Sequence, residues 1–251
     1  MCYERLKTII KNSTNIVFFG GAGVSTESSI PDFRSKDGLY KTQTDLKFPP
    51  EVILSHSFFI NNTEDFFKFY KANMIFPNVI PNDAHVTLAK MEQKNKLKAI
   101  VTQNIDGLHQ MAGSKNVYEL HGSVHRNYCM KCNKFFNSSY IINSKSIIPR
   151  CDSCGGIVKP DVVLYEESLD MPILESSIKA ISIADTLIVG GTSLVVYPAA
   201  NLIKYFRGDN LILINKSSTP YDKQANLVIH DSIGKVLSTS YESNPLLFKI
   251  V

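Results

Sequence analysis

Short apolar runs and amphipathic stripes alternate along the chain. Six runs rich in β-branched residues recur: NIVFFG (15–20), KAIVTQ (98–103), PDVVLY (160–165), DTLIVGG (185–191), NLILIN (210–215) and ANLVIH (225–230). They are continuously apolar rather than alternating, the mark of strands buried on both faces of a parallel sheet. Helix-period segments lie between most of them. YERLKTIIK places Leu6, Ile9 and Ile10 on one face. NDAHVTLAKMEQ follows Pro81, offers Asn82 as N-cap and aligns Ala84, Leu88 and Met91. The alternation predicts an α/β fold, a doubly wound, Rossmann-like parallel sheet.

Two stretches break the rhythm. Residues 36–78 show no clear strand but carry NNTEDFFKFYKANM, whose Phe66, Phe67 and Tyr70 form a helical stripe suited to a core. Residues 118–159 hold the clustered cysteines among polar and aromatic residues. The expected organisation is one unit over residues 1–251. A large domain would comprise 1–35, 79–122 and 160–251. A smaller one would be built from a helical insertion (36–78) and a metal-binding insertion (123–159).

Composition narrows this picture only slightly. With 251 residues, 44% apolar and 20% charged, the chain can bury a substantial core. The net charge of +4 is scattered, as in KMEQKNKLK, so nucleic acid is not required as a partner. The start, MCYERLKTIIKNS, has no apolar secretory core, so a cytoplasmic protein is expected. Residues 186–203 carry no charge over 18 positions, yet Gly190, Gly191 and Pro198 interrupt them. A buried strand, a tight loop and a helix start account for this better than a membrane span.

Candidate chemistry begins with Cys129-x-x-Cys132 and Cys151-x-x-Cys154. Each pair forms a knuckle that turns two thiolates toward one ion, and two knuckles complete a tetrahedron. Four sulfurs leave no open coordination position, so one structural zinc is expected, organising a segment too small to fold by itself. Redox C-x-x-C motifs are the alternative, but neither pair opens a βαβ unit.

Residues 15–30, NIVFFGGAGVSTESSI, read as strand, glycines and helix. Gly21 and Gly23 suit close approach of a pyrophosphate; a tight turn without ligand is the alternative. The third glycine of G-x-G-x-x-G is missing and no Gly-Lys-Ser/Thr follows, which excludes a P-loop. No acidic residue about 20 positions on ends a second strand, which strains a hydride-transfer site. In TQNIDGLHQ (102–110), Gln103, Asn104 and Asp106 would lie at the carboxyl edge of the sheet, positioned for a sugar or carboxamide, or simply capping a turn. In YELHGSV (118–124), a short strand-like run delivers His121, a candidate general base, to a bend. His85 and His109 read as packing residues, and His125 as a rival zinc ligand. In GGTSLVVYPAAN (190–201), Gly191, Thr192 and Ser193 suit a phosphate or ribose contact, and Asn215 ends the next strand.

Taken in order, GAGVSTESSIPDFRS, TQNIDGLH, HGSV, the paired C-x-x-C motifs, KPDVVL and GTSLVVYPAA resemble the sirtuin family, NAD-dependent protein-lysine deacylases, over about residues 15–233. The wording of GIVKPDVVL and SLVVYPAA is similar to the small, single-domain bacterial branch. The resemblance implies the Rossmann-like fold of the deoxyhypusine-synthase NAD-binding type, NAD as cosubstrate and acetyl-lysine proteins or peptides as partners, with a monomer expected. It implies that Ala22, Gly23 and Thr26 line phosphate and ribose, and that Phe33 and Arg34 sit on a loop over the nicotinamide ribose. Gln103 and Asn104 would hold ribose hydroxyls, Asn104 with a catalytic part, and Ile105 and Asp106 the carboxamide. His121 would be the general base. Gly191, Thr192, Ser193, Asn215 and Lys216 would face the adenosine half, with residues 230–233, Ile233 included, closing over the adenine. The acyl-lysine would thread between Val162, Val163, Leu164 and Tyr165 on one side and Val195 on the other. The implied products are nicotinamide, O-acetyl-ADP-ribose and free lysine.

Two departures from the family pattern carry expectations. Glu166 replaces a glycine usual after the valines, which predicts a preference for basic peptides or weakened peptide binding. Tyr70 is followed by Lys71-Ala72-Asn73 rather than Tyr-x-x-Arg, so an acidic acyl group lacks a bidentate partner and acetyl is favoured. Protein mono-ADP-ribosylation is the alternative activity. A non-enzymatic zinc-ribbon module is the distant one, and the thin basic content around the knuckles counts against it.

Overall fold

The computed structural model describes residues 2–33, 35, 38–39 and 47–241. The chain opens with α1 (Cys2–Asn12), β1 (Ile16–Gly20) and two short 3-10 turns, Ala22–Val24 and Thr26–Ser28. Helices α2 (Pro50–Ile53), α3 (His56–Asn61), α4 (Thr63–Asn73) and α5 (Asp83–Gln93) follow. Next come β2 (Leu97–Thr102), α6 (Leu108–Met111), β3 (Val117–Glu119), β4 (Gly122–Cys129), β5 (Phe135–Phe136), α7 (Ser138–Ile142) and β6 (Val158–Val162). The rest is α8 (Met171–Ser182), β7 (Thr186–Gly190), a 3-10 segment Ala199–Tyr205, β8 (Asn210–Ile214), a 3-10 turn Asp222–Gln224, β9 (Leu227–Ile229) and α9 (Ile233–Tyr241).

The main sheet is six-stranded in the order β3-β2-β1-β7-β8-β9, and every pairing in it is parallel. Strand order reverses between β1 and β7, the switch point at which open α/β sheets bind ligands. Alternate residues of the central strands feed opposite layers. Ile16, Phe18, Ile188 and Ile212 pack with Leu6, Leu88, Met91 and Val236 from α1, α5 and α9. Val17, Phe19, Val189 and Leu213 pack with Ile181 of α8 and with Ala199, Leu202 and Ile203. The capping box expected at Asn82 is present: its side chain accepts from Ala84 N–H, and His85 accepts from Asn82 N–H.

The second sheet is antiparallel, in the order β5-β4-β6. This corrects the reading of PDVVLY as a parallel strand. Residues 158–162 alternate buried and half-buried, because only one face is covered, and they pair with Gly122–Cys129. The sixth parallel strand is instead the short run Val117–Glu119. Residue 160, the expected boundary, lies within β6.

Phe66, Phe67 and Tyr70 form the core stripe the sequence suggested. They are wholly buried and share one cluster with Val124, Cys129, Val158 and Val162 of the second sheet. Phe66 stacks on Tyr70 at 5.6 Å and meets Phe59 edge-on at 4.9 Å. Each such ring removed from water contributes roughly 1.5–3 kcal/mol, so the two insertions hold each other. No helix among the described residues is long and apolar enough to cross a membrane.

Candidate active site and metal centre

The polar residues gather at the carboxyl ends of β1, β2, β3, β7 and β8. Behind β1 the glycine segment does not begin an α-helix, as the sequence suggested; it makes two 3-10 turns that end at Ser29, in the left-handed conformation (φ 65°). Two loops interlock here. Gly23 N–H donates to the carbonyl of Gly191 (2.8 Å), and Gly21 N–H to that of Gly190 (3.2 Å). Gly191 has φ +60°, and a Cβ there would lie 2.3 Å from Val24 N. The glycines are thus required by backbone against backbone, not only by a phosphate.

A hydrogen-bond chain runs along this edge. Gln103 Nε2 donates to Thr192 Oγ1 (3.1 Å), and Thr192 N–H donates to Asn215 Oδ1 (2.9 Å). Asn104, buried, donates through Nδ2 to Ser25 Oγ (3.0 Å), which donates to Asp106 Oδ2 (2.7 Å). Asp106 Oδ1 accepts from Leu108 N–H, so the local turn cap considered for Asp106 coexists with its reach to the glycine loop. Thr26 Oγ1 donates to the Gly23 carbonyl. Ala22, Gly23, Gln103, Ile105 and Thr192 are half-buried, and Ser193 and Lys216 are exposed.

Ile233 sits in the core, its Cδ1 against Gly190, so only its main chain is available to a ligand. Its neighbour Gly234 N–H donates to Glu27 Oε1 (2.9 Å), which ties α9 to the glycine loop. Phe33 is half-buried against the helical core, while Arg34 lies outside the described residues.

His121 follows β3 directly. Its Nδ1 lies 3.0 Å from the Gln103 carbonyl, and a carbonyl only accepts, so Nδ1 carries the proton and Nε2 the free lone pair. Burial pushes the imidazole below its ordinary pKa, and the bond to Gln103 opposes this in part. The imidazole is therefore neutral at physiological pH. Arg126 braces the strand, bonding Glu119 Oε2 at 2.6 Å and Asp161 Oδ2 at 2.7 Å, which joins β3, β4 and β6.

From His121 the main chain passes to the expected substrate segment: Val163 N–H donates to the His121 carbonyl. Val162 and Leu164 are buried, Val163 is half-buried, and Tyr165 and Val195 are exposed. Tyr165 pairs with the α2–α3 junction, donating to Leu54 O and accepting from His56 N–H. Glu166 is in the left-handed region (φ 76°), and its carboxylate accepts from Ser57 N–H (2.8 Å) and Ser57 Oγ (2.9 Å). The charge expected to favour basic peptides is tied to the start of α3. Glu167 spans His56 and Lys159 beside it. Lys71 turns its ammonium to the Ser146 carbonyl and Asn73 its amide to Phe69, so neither substitutes for the missing arginine. Two surface clefts, of about 420 and 310 Å³, involve none of these site residues; they lie on α7 and beneath α8.

The four cysteine sulfurs of the two knuckles lie within 4.8 Å of one another. Cys129 and Cys154 approach to 3.4 Å, and Cys132 and Cys151 to 3.7 Å. Tetrahedral zinc with Zn–S bonds of about 2.3 Å places sulfurs about 3.8 Å apart, so the donor set fits. Four thiols at this spacing cannot all ionise without a cation, because each thiolate opposes the next. His125, the suggested rival ligand, is engaged elsewhere: its Nε2 donates to the Asp106 carbonyl (2.9 Å).

A parallel sheet with a glycine loop at its switch point, a neutral histidine beside it and a four-sulfur knuckle pair defines a nucleotide-binding enzyme with a structural metal module. The model of the Sir2 family matches residues 21–198, and the chain belongs to that family. It is 70% identical over 236 residues to an "NAD-dependent protein deacetylase" of Clostridium acetobutylicum, covering 94% of this chain and 96% of the relative. It is 47% identical to one of Staphylococcus aureus, again over 236 residues, 94% of this chain and 96% of that one. Among solved structures, a Sir2 complex with a p53 peptide and NAD+ superimposes with TM-score 0.82 at 38% identity, covering 94% and 96% of the two chains. A Sir2 variant with a deacetylated p53 peptide and 3'-O-acetyl ADP ribose gives TM-score 0.86 at 37% identity, covering 95% and 97%.

Proposed function

We propose that this protein is an NAD-dependent protein-lysine deacetylase, acting as a cytoplasmic monomer on acetyl-lysine in proteins or peptides. The observation that carries the reading is His121. It is a neutral imidazole with Nδ1–H fixed on Gln103, and Nε2 makes no hydrogen bond among the described residues. The curated relatives named for this activity span nearly the whole chain and support it.

The site fits NAD on a feature of its own: Asn215 is buried with Oδ1 on Thr192, yet its Nδ2 has no partner. A buried donor left unpaired costs roughly 1–3 kcal/mol, which a ligand acceptor would recover. Gly23, Thr26, Thr192, Ser193, Asn215 and Lys216 would hold the phosphates and adenosine, Gln103 and Asn104 the second ribose, and Ile105 and Asp106 the carboxamide. When bound, NAD supplies an activated glycosidic bond and a sugar acceptor for the acyl group. His121 takes a sugar hydroxyl proton at Nε2, and the Gln103 carbonyl steadies the imidazolium through Nδ1–H. Leu164, Tyr165 and Val195 would flank the acyl-lysine. Cys129, Cys132, Cys151 and Cys154 would hold zinc, which cross-links the small sheet and performs no chemistry.

The test is incubation of zinc-loaded protein with NAD and acetylated, succinylated or long-acyl peptides, following nicotinamide and acyl-ADP-ribose. Acetyl-dependent release of both is expected, with succinyl-lysine much poorer. Nicotinamide release indifferent to acyl-lysine would refute the reading in favour of ADP-ribosyl transfer.

A further inference from the structure

We propose that His125 is a positioning residue for the nicotinamide half of the site: its imidazole grips the Asp106 carbonyl and fills the space that Gly107 leaves without a Cβ. The proposal rests on the assignment of Ile105 and Asp106 to the carboxamide.

Successive residues of β4 hold successive carbonyls of this loop. Val124 N–H donates to Ile105 O (3.0 Å), and His125 Nε2 donates to Asp106 O (2.9 Å). The carbonyl only accepts, so the proton is on Nε2; Nδ1 faces Ser138 Oγ at a long 3.4 Å. Asp106 is thus held from two sides, its carboxylate by Ser25 of the glycine loop and its carbonyl by β4.

Gly107 completes the device. It has φ +72°, and a Cβ built there would lie 2.7 Å from His125 Cδ2 and 2.8 Å from Nε2. The backbone can bring its carbonyl to the imidazole because nothing projects between them. A larger residue at 107 would both strain φ and displace the ring. Strand β4 runs on to Cys129, so one strand joins the metal knuckle to the loop that orients the leaving group. Removing the histidine frees the Asp106 carbonyl while leaving Ser25, Thr192 and Asn215 in place. The loss should fall on the nicotinamide end alone.

Calorimetric affinities of zinc-loaded protein for NAD and for ADP-ribose, which lacks nicotinamide, separate a positioning role from general damage. His125→Ala should raise the Kd for NAD about tenfold, the scale of one lost hydrogen bond, and leave that for ADP-ribose within about twofold. His125→Gln, with an amide N–H near the Nε2 position, should recover most of the loss. Gly107→Ala should weaken NAD similarly, and adding it to His125→Ala should cost less than it does alone, since the ring it meets is gone. Equal weakening of both ligands, unchanged NAD affinity, or full additivity of the two substitutions would overturn the proposal. A wild-type protein that binds NAD but leaves acetyl-lysine peptides intact would refute the deacetylase reading while these affinities still test His125.

Discussion

Mild acid should destabilise this protein through two histidines that take no part in the proposed chemistry. His85 and His109 are wholly buried with ring centroids 4.7 Å apart. Neither His85 Nε2 nor either nitrogen of His109 has a hydrogen-bond partner. Burial pushes His85 from 6.5 down to about 4, with the Asp106 charge opposing. Burial also drives His109 well below 6.5, and His85 beside it adds to the shift. In the unfolded chain both titrate near pH 6.5, so below that pH the unfolded state binds more protons and stability falls as pH falls. At pH 5, about 1.5 units below the unfolded value and at about 1.36 kcal/mol per unit, each imidazole kept neutral costs about 2 kcal/mol, or about 4 kcal/mol for the pair. His121, also shifted down by burial, acts in the same sense. Carboxylates act in the same sense, but at lower pH. Hydrogen bonds from Lys235 and Tyr3 hold Asp231 at about 2, and Asp185 is also depressed, so their stabilisation is lost only below the ordinary carboxylate range. The interval from pH 7 to 5 therefore isolates the histidines. Urea unfolding from pH 7.5 to 5.0, with zinc content checked at each pH, should show the loss. His109→Leu, whatever its absolute stability, should roughly halve the pH dependence. A flat profile over that interval, or an unchanged slope in the variant, would refute the assignment.

Three further outcomes follow from the site. His121→Ala should lower acetyl transfer about 10²–10⁴-fold in single-turnover assays while NAD affinity changes little, and the acid limb of the wild-type rate should fall below pH 6.5 because the imidazole is shifted down. Cys151→Ala, or chelation of the metal, should melt the second sheet, read as lost near-ultraviolet dichroism and faster proteolysis within residues 122–162 while the parallel sheet persists. Glu166→Gly relieves a left-handed residue, about 1 kcal/mol, but removes both bonds to Ser57; a net loss of about 1 kcal/mol in thermal unfolding is expected, with no change in preference between acidic and basic peptides.

Local chemistry was legible in the sequence wherever spacing along the chain dictates it. The knuckle pairs foretold four converging sulfurs because two residues between thiols leave one tight turn. The Asn82 cap, the stripe of Phe66, Phe67 and Tyr70, and five of the six parallel strands were visible because burial imprints a period on apolar residues. PDVVLY misled because a short apolar run does not reveal its partner; Arg126 and the antiparallel pairing with β4 claim it for the other sheet.

The sequence by itself determined the α/β layers, the metal ligands and the set of residues bound for the carboxyl edge of the sheet, since each depends on neighbours within one element. Tertiary structure alone decided the tautomer of His121, the turning of Glu166 onto Ser57, the seat of Ile233 in the core and the capture of Asp106 by His125. Those depend on atoms far apart in the chain meeting within about 3 Å, and hydrogen bonds discriminate at that scale. A pattern of residue types carries no such distance.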